Sequence, residues 1–361
     1  MVEPPDAFSM PDFDRSDGRT SIAGRLLGVL RPRSRWDLLA VVPLFLAVFA
    51  LVSAVAIVGL GPLAFVQVLE EQAVLVVLVA LAPVALLARA RTLGSALLGL
   101  ALVGGCLFGS TWISAPGASG ASGGRNDLSA MTWNLQYRTR TPAETVAQLQ
   151  NVTTDIIALE ELEPDPAATI EADATLTTRY PYRLMVPRVT AWGLGVLSRF
   201  PISEAESSYP PAHLSLLLTT PHGPLRLIVG HPNHADISLL TPLPVPVAYD
   251  SANRDEEIAA IRQRIDASLA AGERLLVLGD FNTTPTEPEF KVLVAGLKDT
   301  HVEVGLGPGW TWRPSRFAFL PVGFIRIDLQ LSAGSIRPTS TAMDCSLPGD
   351  HCRLFGTYEL D

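Results

Sequence analysis

The chain has 361 residues and a formal net charge of −9, and its composition changes abruptly near residue 115. A chain of this length holds roughly two domains of about 100–200 residues each. Residues 1–126 carry nine basic and eight acidic side chains, which leaves 18 basic and 28 acidic side chains for residues 127–361. A surface with this excess of negative charge repels polyanions on average, which disfavours extended nonspecific binding of nucleic acid.

The first 35 residues mix Pro, Asp, Ser and Gly with few aromatic side chains. Such a segment cannot bury enough apolar surface to fold, so we predict a disordered tail over residues 1–35. The tail is also rich in arginine, with six before the first long apolar segment: Arg15, Arg19, Arg25, Arg31, Arg33 and Arg35.

Three apolar segments follow within residues 36–113. The first has 23 residues without a charged side chain, from Leu38 to Leu60, enough for a helix to cross a hydrocarbon core about 30 Å thick. The second runs from about Ala73 to Ala88 and the third from about Thr92 to Ile113. We predict three transmembrane helices. In the alternative, a soluble protein of this size would have to bury all three as core helices.

The charges around these segments predict their orientation. Basic residues lie in the tail before the first segment and, as Arg89 and Arg91, between the second and third segments. The connection between the first two segments instead carries the acidic residues Glu70 and Glu71. Because basic residues accumulate on the cytoplasmic side of membrane proteins, the N-terminus is expected in the cytoplasm and the C-terminal domain outside it. The sequence therefore predicts a multi-pass cell-membrane protein whose partner is the lipid bilayer, and no obligate protein partner is inferred.

Residues 114–126 are dominated by Gly, Ala and Ser, which predicts a flexible linker before a catalytic domain at residues 127–361. Cys345 and Cys352 are the only cysteines of this domain and flank a Pro-Gly turn. In an oxidising compartment they could close a short disulfide loop, and two unpaired thiols are the alternative.

The domain alternates strand and helix patterns, which predicts a mixed α/β fold. A Pro-His-Gly-Pro turn at residues 221–224 indicates an antiparallel hairpin, so a purely parallel sheet is disfavoured. Capping boxes at Thr141 and Thr286 predict helix starts, and isoleucines at helical spacing predict a helix over about Ser251–Ala271. Strands are predicted at residues 129–135, 155–162, 193–200, 213–220, 225–231, 274–282 and 325–331.

Polar side chains end these strands or follow them directly. Each is ordinary alone, because an Asn after a strand usually belongs to a turn and a single His usually has a structural role. Their occurrence together in one domain predicts a site assembled from several segments. The set comprises Asn134, Glu161, His231, Asp280, Asn282, Asp328, Asp350 and His351.

The motifs that contain these residues resemble the endonuclease/exonuclease/phosphatase family. They are MTWNL, DIIALEE, GVLSRFP, GH, GDFN, RID and GDH, and they cover residues 129–361. The family includes pancreatic-type deoxyribonucleases, abasic-site nucleases, bacterial sphingomyelinases and inositol-polyphosphate phosphatases. The resemblance implies an α/β sandwich of two mixed β-sheets flanked by helices, and metal-dependent hydrolysis of phosphate esters. The sequence departs from the family pattern at Glu160, where Gln is usual, and at Gly349, where Ser is usual.

The resemblance also implies ligands for a metal and for the substrate. Glu161 is expected to hold Mg²⁺, or alternatively Mn²⁺, because hard cations prefer oxygen ligands. Asn134 assists at the metal or the phosphate, and Asp350 contacts the metal or braces the site. Asn282 binds a phosphate oxygen. Arg254 is a weaker phosphate-binding candidate, with a surface ion pair as its alternative.

Four residues are expected to perform the chemistry. Asp280 orients or deprotonates the attacking water. His231 and His351 stabilise the phosphorane and protonate the leaving group, and Asp328 pairs with His351 to raise its basicity.

The substrate is left open by these motifs, since a family fixes the type of reaction better than the substrate. A tethered site close to lipid headgroups, with apolar loops at residues 237–247 and 310–321, favours a lipid-linked phosphate such as polyprenyl pyrophosphate or a phospholipid headgroup. The layout also resembles bacterial membrane phosphatases of the same family. The apolar loops could instead pack on the domain or stack bases. The alternatives are an extracellular nuclease and a non-catalytic membrane-tethered binding module.

Overall fold

The structure, a computed structural model, describes residues 34–55, 65–112, 127–240 and 245–360. The predicted linker and all but the last two residues of the predicted tail lie outside these described residues. Residues 56–60 of the first predicted membrane segment lie outside them as well.

The N-terminal part is helical. A short 3₁₀ turn at Asp37–Ala40 leads into the first helix, and the described helices of this part are α1 (Val41–Val55), α2 (Phe65–Val68), α3 (Glu70–Leu87) and α4 (Arg91–Trp112). Two segments, Glu70–Leu87 and Arg91–Gly109, are long and apolar enough to cross a membrane, and the described part of α1 is shorter. The structure therefore gives two candidate spans where the sequence predicts three. Pro83 lies inside α3.

The three long helices pack on one another through small apolar side chains. Leu93 and Leu100 of α4 are fully buried against α1 and α3. The side chains on the outer face of α3 are exposed instead: Val79 is 67% exposed and Leu87 is 87% exposed. The helices thus bury one face and leave a long apolar face uncovered by protein.

The C-terminal domain is built from two six-stranded sheets and a separate two-stranded hairpin. The strands of the described residues are β1 (Asp127–Asn134), β2 (Ile156–Glu160), β3 (Tyr182–Val186), β4 (Leu194–Ser198), β5 (Ile202–Ser208), β6 (Ala212–Thr220), β7 (Gly223–His231), β8 (Asp236–Leu240), β9 (Val245–Asp250), β10 (Leu275–Asp280), β11 (Lys298–Asp299), β12 (Asp328–Ala333), β13 (Ile336–Asp344) and β14 (Arg353–Leu360).

Both large sheets mix parallel and antiparallel pairs, which confirms the predicted α/β sandwich. The first has the order β13-β14-β1-β2-β4-β3 and the second β11-β12-β10-β7-β6-β5, while β8 pairs with β9. Within them β1 pairs with β2 and β10 with β7 in parallel. The hairpin predicted around Pro221 and His222 is the antiparallel pair β6 and β7.

The helices of the domain partly follow the predictions. They are α5 (Pro142–Gln150), α6 (Pro164–Ala172), α7 (Ala174–Arg179), α8 (Ala252–Ala270), α9 (Pro288–Val294) and α10 (Thr300–Val304). The capping box of Thr141 and Glu144 forms as predicted, and α8 covers the predicted range. The capping box predicted at Thr286 is wrong, because α9 begins after Glu287. The Thr286 hydroxyl instead donates to the carbonyl of Gln67 at 2.6 Å.

The core lies between the two sheets and is formed by alternate side chains of facing strands. Ala130 and Ile156 of the first sheet meet Leu227 and Leu278 of the second, and all four are fully buried. Because the sheets are held together by this apolar layer, the ends of their strands are fixed relative to one another. The polar residues singled out in the sequence lie at one common edge of this sandwich.

Candidate active site

The two sheets contribute neighbouring strand ends to the site. Asn134 ends β1 in the first sheet and Asp280 ends β10 in the second, and the Asn134 side-chain amide donates to Asp280 Oδ2 at 3.0 Å. Asp328 begins β12 directly opposite Asp280 in the antiparallel register. His231 ends β7, the parallel neighbour of β10. Rigid strands therefore bring together four side chains that are far apart in the sequence.

Gly279 explains why the GDFN motif begins with glycine. Its φ is +143°, and a Cβ at this position would lie 2.0 Å from the carbonyl oxygen of Gly230 in β7. Only a residue without a side chain allows β10 and β7 to approach so closely. The next residues then turn, with Asp280 in the site and Phe281 fully buried against Gly230.

The Asp280 carboxylate is the centre of the site. Its Oδ1 accepts from the backbone N–H of Asn282 at 3.0 Å. Its Oδ2 lies 3.6 Å from His351 Nε2 and 3.7 Å from His231 Nδ1, beside the Asn134 amide. Burial raises the pKa of Asp280 above its usual range, against the attraction of His351. Two imidazoles and an amide therefore face one buried oxygen.

His351 and Asp328 form a buried dyad. His351 Nδ1 lies 3.1 Å and 3.0 Å from the two oxygens of Asp328. Burial opposes protonation of the imidazole, but the carboxylates of Asp328 and Asp280 outweigh it and raise the pKa of His351 to about 10. The ring is consequently protonated near neutral pH, with its Nε2–H directed toward Asp280.

His231 is oriented by backbone. Its Nδ1 lies 3.2 Å from the carbonyl oxygen of Asp280, which can only accept, so Nδ1 carries the proton of this hydrogen bond. Its Nε2 then lies 3.7 Å from Glu161 Oε1. The ring is buried and spans the distance between Asp280 and Glu161.

Glu161 follows β2 with a positive φ of 56°, which turns its side chain into the site. Its Oε1 accepts from Asn134 Nδ2 at 2.9 Å, and its Oε2 accepts from the backbone N–H of Tyr137. The Asn134 carbonyl oxygen accepts from the backbone N–H of Gln136 at 2.8 Å. Asn134 thus orients the carboxylates of Glu161 and Asp280 with both of its amide protons.

Two buried carboxylate oxygens of the site have no hydrogen-bond partner, Asp350 Oδ1 and Glu160 Oε2. Glu160 Oε1 accepts from the Thr132 hydroxyl at 2.7 Å. Burial raises the pKa of Glu160 to about 8 and the pKa of Asp350 above its usual range. Neutral Glu160 resembles the Gln that is usual at this position. The unpaired Asp350 Oδ1, close enough to Glu161 to feel its charge, is the type of oxygen that a hard divalent cation binds.

The ligand atoms of Asp280, Asp328 and His351 also lie within 4.8 Å of one another and could hold a cation. Both Asp328 oxygens already face the His351 imidazole, however, and this ring is protonated. Asp350 Oδ1, by contrast, has no hydrogen-bond partner. The residues predicted to bind the metal lie around Glu161. Of the four predicted catalytic residues, His351 and Asp328 form the dyad, and Asp280 and His231 lie beside it.

Asn282 and Arg254 have structural contacts at the edge of the site. Asn282 Nδ2 donates to the carbonyl of Pro232 at 3.0 Å. Arg254 is 1% exposed, pairs with Glu287 at 2.8 Å and donates to the Asn282 carbonyl at 2.9 Å. The surface ion pair expected as the alternative is therefore wrong, because the guanidinium is buried among the carboxylates of Asp255, Glu287 and Glu289. Arg254 nevertheless belongs to the lining of the cavity, so phosphate binding stays a prediction. The guanidinium braces the loop that carries Asn282.

Arg313 is a supporting residue that sequence reasoning missed. It is fully buried, and its guanidinium donates to the carbonyls of Gly349 at 3.1 Å, Cys345 at 2.9 Å and Leu347 at 2.7 Å. Cys345 and Cys352 form the predicted disulfide around the same loop. An Arg within an apolar segment gives no sequence signal of this role, because its acceptors are backbone groups.

Asp280, His351, His231 and Glu161 line a cavity of about 730 Å³. They share it with apolar side chains from four separate segments of the chain, at residues 65–69, 191–192, 232–237 and 312–327. A volume of this size is typical of small-ligand pockets, which span roughly 300–1,000 Å³.

Residues 131–351 match the family described as Endonuclease/Exonuclease/phosphatase family. The chain belongs to the endonuclease/exonuclease/phosphatase family. It is accordingly a metal-dependent phosphoesterase. No curated protein matches the chain.

Several solved structures are similar to the chain at low sequence identity. The humanized D. rerio TDP2 is 18% identical with a TM-score of 0.50, over 65% of this chain and 99% of that one. The 3′ phosphatase NExo from Neisseria, bound to a product DNA hairpin, is 19% identical with a TM-score of 0.49, over 65% and 99%. An endonuclease/exonuclease/phosphatase from Beutenbergia cavernae is 18% identical with a TM-score of 0.48, over 65% and 72%.

The dyad predicts a pH dependence. Replacement of Asp328 by Asn removes the main charge that holds the pKa of His351 above its ordinary value of 6.5. We expect kcat to fall by about 10²-fold or more and the alkaline limb of the kcat profile to move to lower pH. The ion pair's contribution to folding is fully present below about pH 6.5 and is lost as the pH rises through about 10.

The measurement is a pH–rate profile of the full-length protein in detergent with a chromogenic phosphodiester. The Asp155→Asn variant is the control, because Asp155 lies at the opposite end of β2 and pairs with Arg199. An unchanged alkaline limb in the Asp328→Asn variant would show that this carboxylate does not set the charge of His351.

Arg313→Lys tests whether the loop must be held by a planar fork of donors. Lysine keeps the charge but cannot reach several carbonyls at once, so the position of His351 should loosen. We expect kcat to fall about 10–100-fold with a much smaller change in KM. Arg337→Lys is the matched control, because Arg337 lies on β13 and forms an exposed ion pair with Glu359. Equal kcat values in both variants would contradict this role.

Proposed function

We propose that the chain is a membrane-anchored hydrolase, dependent on Mg²⁺ or Mn²⁺, that cleaves a lipid-linked phosphate ester on the extracytoplasmic side of the cell membrane. The observation that carries the proposal is the composition of the cavity. It joins the Asp280 and His351 side chains to apolar residues that directly precede the membrane-type helix α3. The polar side chains of the cavity suit a phosphate group with its cation, and the apolar side chains suit a hydrocarbon chain.

Glu161 and Asp350 would hold the divalent cation, with the Asn134 carbonyl oxygen beside them. The fit rests on the partnerless Oδ1 of Asp350 and on the raised pKa values of Asp350 and Asp280, which a nearby cation would lower. The bound cation would neutralise phosphate charge and acidify a water molecule.

The residues of the chain would divide the proton transfers. Asp280 Oδ2 would accept a proton from the attacking water, because burial and the nearby Asp328 carboxylate raise the pKa of Asp280 above its usual range. His351, protonated near neutral pH, would donate its Nε2 proton to the leaving oxygen. His231 would stabilise the charge that develops on phosphate oxygens, and Asn282 would position one of them.

The exposed face of the N-terminal helices supports membrane anchoring. Only 17% of the Glu70–Leu87 segment and 33% of the Arg91–Gly109 segment are buried inside the protein. The core helices of a soluble protein would be mostly buried, and uncovered apolar surface of this extent suits a lipid environment. With the described part of α1 packed beside them, we propose a three-helix anchor.

The orientation follows from the charges at the helix ends. Arg89 and Arg91 lie at the end where α3 and α4 meet, while Glu70 and Glu71 lie at the opposite end, on the side of the catalytic domain. The disulfide between Cys345 and Cys352 suits an oxidising compartment outside the cytoplasm.

A lipid-linked substrate agrees better with the surface than a polynucleotide does. Residues 127–361 carry ten more acidic than basic side chains, whereas nucleic acid binding draws on basic residues. The domain is also attached to the start of α3, where Trp310 Nε1 donates to Glu71 Oε2 at 3.0 Å. The cavity is consequently held close to the membrane surface.

The test assays the full-length protein in detergent with Mg²⁺ against polyprenyl pyrophosphate, phospholipids, plasmid DNA and RNA. We expect phosphate release from a lipid substrate and a loss of about 10²-fold or more in Asp280→Asn and His351→Gln. Asp155→Asn is the control variant. Cleavage of nucleic acid alone would make the protein a tethered nuclease. Absence of turnover that depends on these residues would indicate a binding module.

A further inference from the structure

The short helix α2 and Leu69 connect the N-terminal helices to the catalytic cavity. Phe65, Val68 and Leu69 line the same cavity as Asp280 and His351. These three residues belong to the segment between α1 and α3, on the side of the helices that faces the domain. The catalytic domain alone therefore does not supply the complete lining of its own cavity.

This segment is fixed to the domain by specific contacts. The rings of Phe65 and Tyr249 lie 6.3 Å apart. The Thr286 hydroxyl donates to the Gln67 carbonyl at 2.6 Å, and the Gln72 side chain donates to the Phe324 carbonyl. Through these contacts α2 is seated beside the loops that carry the site.

The contacts also connect α2 to Asn282, the proposed phosphate-binding residue of the cavity. The Tyr249 hydroxyl accepts from Arg254 Nη1 at 3.1 Å and bonds to Glu287. Arg254 in turn donates to the Asn282 carbonyl at 2.9 Å. The position of α2 and the position of the Asn282 loop are thus coupled through a buried ion-pair network.

Apart from the polar network of Tyr249, Arg254 and Glu287, the lining on this side of the cavity includes a group of apolar side chains. They are Phe317 and Phe324, whose rings lie 5.3 Å apart, together with Ile325 and Ile327. Apolar side chains of this kind contribute little to the binding of a sugar-phosphate backbone or of inorganic phosphate. They favour the binding of a hydrocarbon chain, because each methylene group removed from water contributes favourable free energy.

We propose that α2 and Leu69, with Phe317 and Phe324, bind the first part of the hydrocarbon chain of an amphiphilic phosphate ester. The phosphate lies at Asp280 and His351, and the rest of the chain leaves the cavity toward α3. The inference rests on the proposed function and deepens it, because it makes chain length a determinant of specificity and makes the membrane connector part of the substrate site.

The kinetic test compares isopentenyl diphosphate and farnesyl diphosphate, which share a headgroup and differ in chain length, with the full-length protein in detergent. We expect kcat/KM to be at least about tenfold higher for the longer ester. Val68→Trp fills the cavity and should lower kcat/KM about tenfold or more for farnesyl diphosphate alone. Val79→Trp, on the exposed face of α3, is the matched control and should change neither value.

A second measurement does not depend on turnover. Farnesyl phosphate with a photoreactive group at the end of its chain is crosslinked to the protein, and the labelled peptide is identified by mass spectrometry. We expect label on residues 65–69, and less label there in Val68→Trp.

The two measurements separate the possible failures. Hydrolysis of both esters at equal rates, without label on residues 65–69, would overturn the chain-binding site and leave the proposed function standing. Label on these residues without any hydrolysis would support the binding site and overturn the proposed activity. Neither label nor hydrolysis would overturn both.

Discussion

The carboxylate of Asp280 is the point on which the structure of the site depends. It ends a central strand of one sheet and accepts a hydrogen bond from Asn134, which ends a central strand of the other. The apolar layer between the sheets fixes this approach, and the absence of a side chain at Gly279 permits it. His231, His351 and Asp328 are then placed around Asp280 by the neighbouring strands.

Burial gives this arrangement its chemical character. Carboxylates removed from water favour their neutral form, which raises the pKa values of Asp280, Glu160 and Asp350. The Asp328 carboxylate, together with Asp280 and Asp350, outweighs the effect of burial and raises the pKa of His351 to about 10. Such a site has more acidic groups than cationic groups. A divalent cation would compensate the negative charge of the carboxylates and of a bound phosphate ester.

Local patterns predicted a large part of the fold and of the site. The capping box at Thr141 and the isoleucine spacing of α8 depend on nearby residues, and both predictions were confirmed. Edge strands such as β3, β5 and β13 were missed, because much of β5 is exposed and none of the three has a clear alternation of buried and exposed residues. The polar residues at predicted strand ends were expected to converge, and Asp280 and His351 do lie together, with Oδ2 and Nε2 3.6 Å apart.

Long-range contacts account for what the sequence could not predict. Thr286 does not cap α9, whose N-cap residue is Glu287. The Thr286 hydroxyl instead donates to the backbone carbonyl of Gln67, more than two hundred residues earlier in the chain. Arg254 resembles a phosphate ligand in sequence, yet folding surrounds it with Glu287 and other carboxylates. Neither the role of Arg313 nor the contact of α2 with the cavity has a local signature.

We expect the buried carboxylates next to Asp280 to bind a divalent cation, because Asp350 Oδ1 has no hydrogen-bond partner and hard cations prefer oxygen ligands. Calorimetric titration of the full-length protein in detergent with Mn²⁺ tests this most directly. We expect Mn²⁺ to bind, with at least about tenfold weaker binding in Glu161→Gln and unchanged binding in Asp155→Asn. Absence of binding, or equal affinity in Glu161→Gln, would contradict this role of the carboxylates.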